Sequence, residues 1–182
     1  MEQSGGYGSL LLSYAVELPF SPPYPTRPER KYGLAIRVRE NKVFTIAIHS
    51  EYTLREIINL YGFPKEIWFR VDSPNYGISP YDLSLFYPDY SFYILFDGDL
   101  NYFDRPEEYT LCESDLANIY TSASVYVWSA DLQWTIDEAT EPYDFRGLHK
   151  MLETVINEDL DQFLEAVVDE NTNACFTTDS EY

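Results

Sequence analysis

The chain is 182 residues long and carries a formal net charge of -19 at pH 7, with 31 Asp+Glu against 12 Lys+Arg. That balance argues against nucleic acid and against an anionic membrane surface, because phosphate contacts need Lys and Arg and the long-range field repels a polyanion. Aromatics nevertheless make up 17% of the residues, including 17 Tyr, a content that disordered acidic tails lack, so the chain folds.

One core is expected, since single domains commonly run to about 100–200 residues. No apolar run approaches the ~20 residues of a spanning helix, so membrane insertion is not expected. Leu10-Leu11-Leu12 is too short for the apolar stretch of a secretory leader and lacks a basic flank. The expected location is the cell envelope or outside where a leader has been removed, and the cytoplasm otherwise. Cys112 and Cys175 do not form a CxxC pair, so zinc or thioredoxin-type chemistry is unsupported. Two readings stay open: a disulfide in an exported protein, or two inert buried thiols in a reducing compartment.

Residues 1–31 read as a Pro/Gly-rich arm, and residues 32–182 as a single α+β domain. In the arm, Gly5, Gly6 and Gly8 precede a short apolar stretch, Leu10 to Val16. The run from Pro19 to Pro28 then predicts an extended or polyproline II strap. Leu34, Ile36 and Val38 alternate before the polar turn Glu40-Asn41-Lys42, and Val43 to Ile48 follows, which predicts a hairpin. Thr53-Leu54-Arg55-Glu56 is a capping box, with Leu54, Ile57, Ile58 and Tyr61 as one apolar face and Gly62 and Pro64 as the stop. Strands are predicted at 66–71, 81–87, 91–96 and 122–128, with Pro88-Asp89 turning the second of these into the third.

Residues 100–118 read as irregular. Leu148, Leu152, Val155 and Ile156 predict one C-terminal helix. Asn157 or Asp159 caps a second, carrying Leu160, Phe163, Leu164, Val167 and Val168. The fold expected is an antiparallel sheet of about five to six strands, with the short capped helix on one face and two C-terminal helices.

Motifs that carry chemistry are absent from the pattern. Asp97, Asp99, Asn101 and Glu108 have the spacing of a calcium loop, but Tyr102 takes the position of its glycine and Pro106 interrupts it, so a turn is expected and no metal. His49 and His149 have no HExxH spacing, and solvated or capping histidines are expected. No glycine-rich phosphate loop is present, and no cofactor is expected.

The segment Thr53-Leu54-Arg55-Glu56-Ile57-Ile58-Asn59-Leu60-Tyr61-Gly62-Phe63-Pro64, a capped helix running into strands, resembles small bacterial envelope lipoproteins of the SmpA/OmlA type. It is also similar to uncharacterised exported bacterial proteins with a helix-Gly-x-Pro-strand core and a late Phe…Cys stretch, here Phe163 and Cys175. The resemblance covers roughly residues 33–100. It implies helices packed on one face of a small antiparallel sheet and an accessory binding role. The chain departs from that pattern in lacking a lipobox cysteine.

The functional expectation is a non-catalytic protein-interaction module with an acidic, Tyr-rich surface, and a basic protein surface as partner. Glu158, Asp161, Glu165 and Asp169 share one face of the last helix, and Tyr76, Tyr81 and Tyr87 supply aromatic anchors near strand ends. Two alternatives from other classes are an acidic inhibitor that mimics nucleic acid at a basic site, and an enzyme with an unrecognised carboxylate site.

Overall fold

A computed structural model describes residues 10–15, 33–39, 42–50, 52–72, 78–101, 108–116, 122–140, 145–169 and 171–179. The strands are β1 (Leu10–Ala15), β2 (Gly33–Arg39), β3 (Lys42–Ser50), β4 (Glu66–Val71), β5 (Ile78–Tyr87), β6 (Phe92–Asn101), β7 (Glu108–Cys112), β8 (Ser122–Val127), β9 (Lys150–Met151) and β10 (Cys175–Asp179). The helices are α1 (Leu54–Tyr61), α2 (Glu113–Leu116), α3 (Ile136–Thr140), α4 (Phe145–Leu148) and α5 (Leu160–Val168). The main sheet is antiparallel in the order β1-β2-β3-β8-β6-β5-β4-β9, and β10 pairs with β7 in a separate two-stranded sheet.

The α+β class is as expected, and the six central strands are those the sequence predicts. The main sheet is wider than expected because β1 and β9 extend its two edges. Leu10–Ala15, placed by sequence in the arm, is strand β1 and pairs with β2. The proline-rich run 19–28 lies outside the described residues.

Both faces of the sheet are buried, because period-2 alternation puts an apolar set on each. On the first face, Ile67, Phe69, Leu83, Leu85, Ile94 and Phe96 meet Leu54, Ile57 and Ile58 of α1, Phe163, Leu164 and Val167 of α5, and Leu111 and Phe176 of the small sheet. On the second, Trp68, Phe86, Tyr93 and Trp128 meet Ile136, Ala139 and Phe145. The second layer holds the aromatics in stacks: Phe86 on Trp128 at 5.9 Å and Tyr93 on Tyr126 at 4.5 Å between ring centroids.

α1 forms where its capping box predicts. Thr53 Oγ1 accepts from the Glu56 amide at 3.2 Å, and Glu56 Oε2 accepts from the Thr53 amide at 2.8 Å. Gly62 ends the helix with φ 77°, donating to Ile58 O at 2.8 Å. A side chain at that φ is strained whatever the space around it. Thr53→Ala removes one acceptor and disorders the reciprocal bond. It should lower unfolding stability by about 1 kcal/mol, read by urea denaturation with an unchanged slope.

The C-terminal region departs from the expected pair of helices. Leu148 to Ile156 is not a continuous helix. α4 stops at Leu148, β9 pairs Met151 with Trp68, and residues 152–154 make a single 3-10 turn. Leu152 and Val155 of that stripe enter the first core, Leu148 is exposed, and Ile156 bridges to Thr178. The second helix is as predicted: α5 begins after Asp159, whose side chain accepts from the Gln162 amide at 3.1 Å.

Candidate functional site

One end of the sheet gathers exposed aromatics. β5 ends there, β6 and β4 begin there, and α1 runs out there through Gly62. Leu60, Tyr61, Phe63 and Tyr90 lie between 39% and 63% exposed. Tyr61 meets Tyr90 edge-on at 5.4 Å and Phe92 at 4.8 Å. Beneath them Tyr87 stacks on Phe92 at 4.9 Å and donates its hydroxyl to Gly62 O at 3.0 Å. Burial, with Tyr90 beside it, holds that hydroxyl well above the ordinary tyrosine range, so it stays a donor.

The patch is preformed by its scaffold. Pro88–Tyr90 is a single 3-10 turn, and Ser91 takes φ 58°, a left-handed conformation that closes the hairpin. Ser91 O accepts from the Trp128 amide at 3.0 Å, and Phe86 O accepts from the Lys65 amide at 3.0 Å. Both ties hold the turn and the α1–β4 connection against their neighbouring strands.

The tyrosines singled out by sequence divide. Tyr81 and Tyr87 are 2% and 3% exposed, so they belong to the first core and offer no anchor to a partner. Tyr87 serves the patch from below. Tyr76 lies outside the described residues. Tyr61, placed by sequence on the apolar face of the capped helix, is 39% exposed, and Leu60 and Phe63 carried no signal that sets an exposed apolar residue apart.

The acidic face also divides. Glu158, Asp161, Glu165 and Asp169 are all exposed. Glu158 Oε2 accepts from the Thr177 amide of β10 at 2.9 Å. Asp169 folds the turn after α5, accepting from the Asn171 amide at 3.0 Å and the Thr172 hydroxyl at 2.9 Å, and these bonds hold its carboxyl below the ordinary range. Asp161 and Glu165, four residues apart on α5, have no partner among the described residues. Two of the four carboxylates are thus occupied in the fold, and two are presented to solvent.

Three arginines are engaged within the fold. Arg70 makes a fork with Asp72, from Nη2 to Oδ1 at 2.7 Å and to Oδ2 at 2.8 Å. Arg146 lies over the Trp68 ring at 5.3 Å and pairs with Asp137 at 2.9 Å. Arg55 is taken up between α1, α2 and the end of α5.

His149 is neither solvated nor at the start of a helix, contrary to expectation. It follows α4, is 6% exposed, and stacks on Phe145 at 4.0 Å. Nδ1 lies 3.1 Å from Phe145 O, an acceptor only, so the Nδ1–H tautomer donates there. Nε2 then faces the Asp82 carboxylate at 3.5 Å. Nε2 makes no hydrogen bond there, and the Nδ1 bond with the Phe145 stack places the ring beside α4 on the sheet. His49 sits on the same face at the end of β3, opposite Ser124. Asp97, Asp99 and Asn101 fall within strand β6 rather than in a loop. No cluster of three metal-ligating side chains occurs among the described residues.

No protein family, curated protein or solved structure matches the chain. No helix among the described residues is long and apolar enough to cross a membrane.

Proposed function

We propose that this protein is a non-catalytic interaction module that docks a basic partner on its aromatic end. The carrying observation is the preformed patch of Leu60, Tyr61, Phe63 and Tyr90, buttressed by Tyr87 and Phe92. Exposed aromatics on a rigid base lose little entropy on binding, which makes them effective anchors. The partner's charge follows from the field: a net charge of -19 with Arg55, Arg70 and Arg146 engaged internally attracts a cationic surface. Asp161 and Glu165 add free carboxylates to that field.

The Cys112–Cys175 disulfide supports an oxidising compartment. It thereby supports the accessory envelope role that the resemblance to SmpA/OmlA-type lipoproteins implies.

The test is site-specific photocrosslinking from position 90 in extracts of the native source, followed by kinetics with the captured protein. A basic partner is expected. Tyr90→Ala should weaken it by about 2 kcal/mol, roughly thirtyfold in Kd, mainly through faster dissociation. Reversal of charge at Asp161 and Glu165 should slow association instead, and raising salt from about 50 to 500 mM should do the same. A partner whose binding ignores Tyr90→Ala, both charge reversals and salt overturns the reading.

A further inference from the structure

We propose that the outer edge of β1 pairs, antiparallel, with β1 of a second copy of this chain and closes a symmetric dimer. The observation is independent of the aromatic patch. An edge strand presents a row of unpaired backbone donors and acceptors, and proteins ordinarily stop such edges. Three of the four sheet edges here carry a stop. At β10, Glu158 takes the outward Thr177 amide, Asn157 donates to Thr177 O at 3.0 Å, and Ile156 bridges to Thr178. At β7, Asp115 Oδ2 takes the Cys112 amide at 2.8 Å. Beyond β4, the main sheet ends in the two-residue β9, which turns away into the 3-10 turn.

Among the described residues β1 carries no such device. It is a six-residue strand, Leu-Leu-Leu-Ser-Tyr-Ala, without charge, proline or glycine. Among the described residues only β2 pairs with it, on one side.

The β2–β3 hairpin determines which groups point outward. Arg39 and Lys42 flank a two-residue loop, so they exchange both of their backbone hydrogen bonds. Alternation along β2 then turns the backbone of Arg39, Arg37 and Ala35 toward β3, and that of Val38, Ile36 and Leu34 toward β1. The register sets Leu10 against Val38, Leu12 against Ile36 and Tyr14 against Leu34, so these are the bonded pairs. Leu11, Ser13 and Ala15 are left with their N–H and C=O groups directed away from the sheet.

A second copy suits this edge better than a basic strand does. The edge has no carboxylate to select a cation. An antiparallel copy meets it without opposing like charges. A two-fold contact uses the same surface on both chains, and with one open edge among the described strands of each, pairing ends at a dimer rather than a filament. The doubled strand order runs outward from a β1–β1 seam. Each copy carries -19, so approach is opposed at long range and the dimer should tighten as salt rises. That sign is opposite to the one expected for a basic partner.

The test is sedimentation equilibrium of the full chain from about 1 to 500 μM, at low and high salt. Mass should rise from 21.2 kDa toward twice that, further at high salt. Ser13→Pro deletes an outward N–H and leaves the ladder to β2 intact, because proline is tolerated where the N–H faces out. It should raise the dimer Kd at least roughly tenfold. Ser13→Lys should do the same by placing like charges near the two-fold seam. A chain that stays monomeric throughout, a dimer that weakens with salt, or folded Ser13→Pro and Ser13→Lys variants with unchanged Kd each overturn the proposal.

Discussion

Reducing the Cys112–Cys175 disulfide should lower the unfolding free energy by about 4 kcal/mol in the chain-entropy model, given the sequence separation of 63 between the two cysteines. For a chain of this size that corresponds to a fall in Tm of roughly 10 °C. The bond joins β7 to β10 across directly opposed residues. Glu113 N–H donates to Ala174 O at 2.8 Å, which makes the cysteine pair a non-hydrogen-bonded one, where facing side chains come closest. The closed loop takes in β8, α3, α4, β9 and α5, so the cross-link restricts most of the second half of the unfolded chain. Cys175 is exposed, and a reductant reaches it without global opening. The small sheet contributes Tyr109, Leu111 and Phe176 to the first core, and Phe176 meets Phe69 and Phe163 edge-on at 5.3 and 5.2 Å. Amide exchange should therefore rise first at residues 108–116 and 171–179, ahead of β5 and β6. The double Cys→Ser variant should reproduce both the Tm and the exchange pattern without reductant. An unmoved Tm in both experiments would show that the native packing of β10, rather than the cross-link, sets its stability.

Local chemistry explains which parts of this fold the sequence reveals. The capping box, the period-2 strands and the Asp159 cap all act within a few residues, and the structure forms α1, the six central strands and α5 accordingly. A second capping box at Thr135 and Glu138 is equally local: Glu138 Oε2 accepts from the Thr135 amide at 2.8 Å, and Thr135 Oγ1 from the Glu138 amide at 3.4 Å. Its Thr-Ile-Asp-Glu signature was legible, yet the five-residue α3 went unread because no long apolar stripe follows it. β7 and β10 are short, and each makes sense only beside a partner far along the chain. Met151 and Leu152 fit helical spacing, but the free edge of β4 captured that segment as β9. Tyr81, Tyr87 and Tyr61 have the same composition and comparable positions near element ends. Only tertiary packing decides that the first two are core and the third is surface.

Arg55 should be the most sensitive single surface-proximal side chain. It rises from α1, donates from Nε to Val167 O at 2.7 Å, and donates from Nη2 to Glu113 Oε2 at 2.5 Å and Thr172 O at 2.9 Å. One guanidinium thus ties α1 to α2 and to both sides of the α5 C-terminus, where exposed carbonyls favour a cation. Both partners of the ion pair are largely shielded from water. Arg55→Met keeps the stem but leaves a shielded carboxylate and two carbonyls without their donor. That should destabilise by about 2–4 kcal/mol, within the range for breaking a shielded pair from one side. Its pH dependence separates this account from simple loss of packing. Desolvation raises the Glu113 carboxyl above its ordinary range despite the opposing pull of Arg55. Removing Arg55 deletes that pull, so the carboxyl rises further and the folded variant holds a proton that the unfolded chain releases. A group raised in the folded state loses stability as pH rises from its unfolded value through its folded one. The deficit of Arg55→Met relative to the parent should therefore shrink on acidification from neutral pH into the carboxylate range. Glu138, whose carboxyl is held low without any help from Arg55, weakens both proteins together on the same descent and cancels in the difference. Asp169 is held low mainly by its own turn and last by Arg55, so it adds a minor part to the shrinkage in the same direction. Glu113→Gln in the Arg55→Met background should recover part of the loss at neutral pH and remove most of that pH dependence. A deficit that is flat across the range would assign the loss to the severed carbonyl bonds and not to the stranded charge.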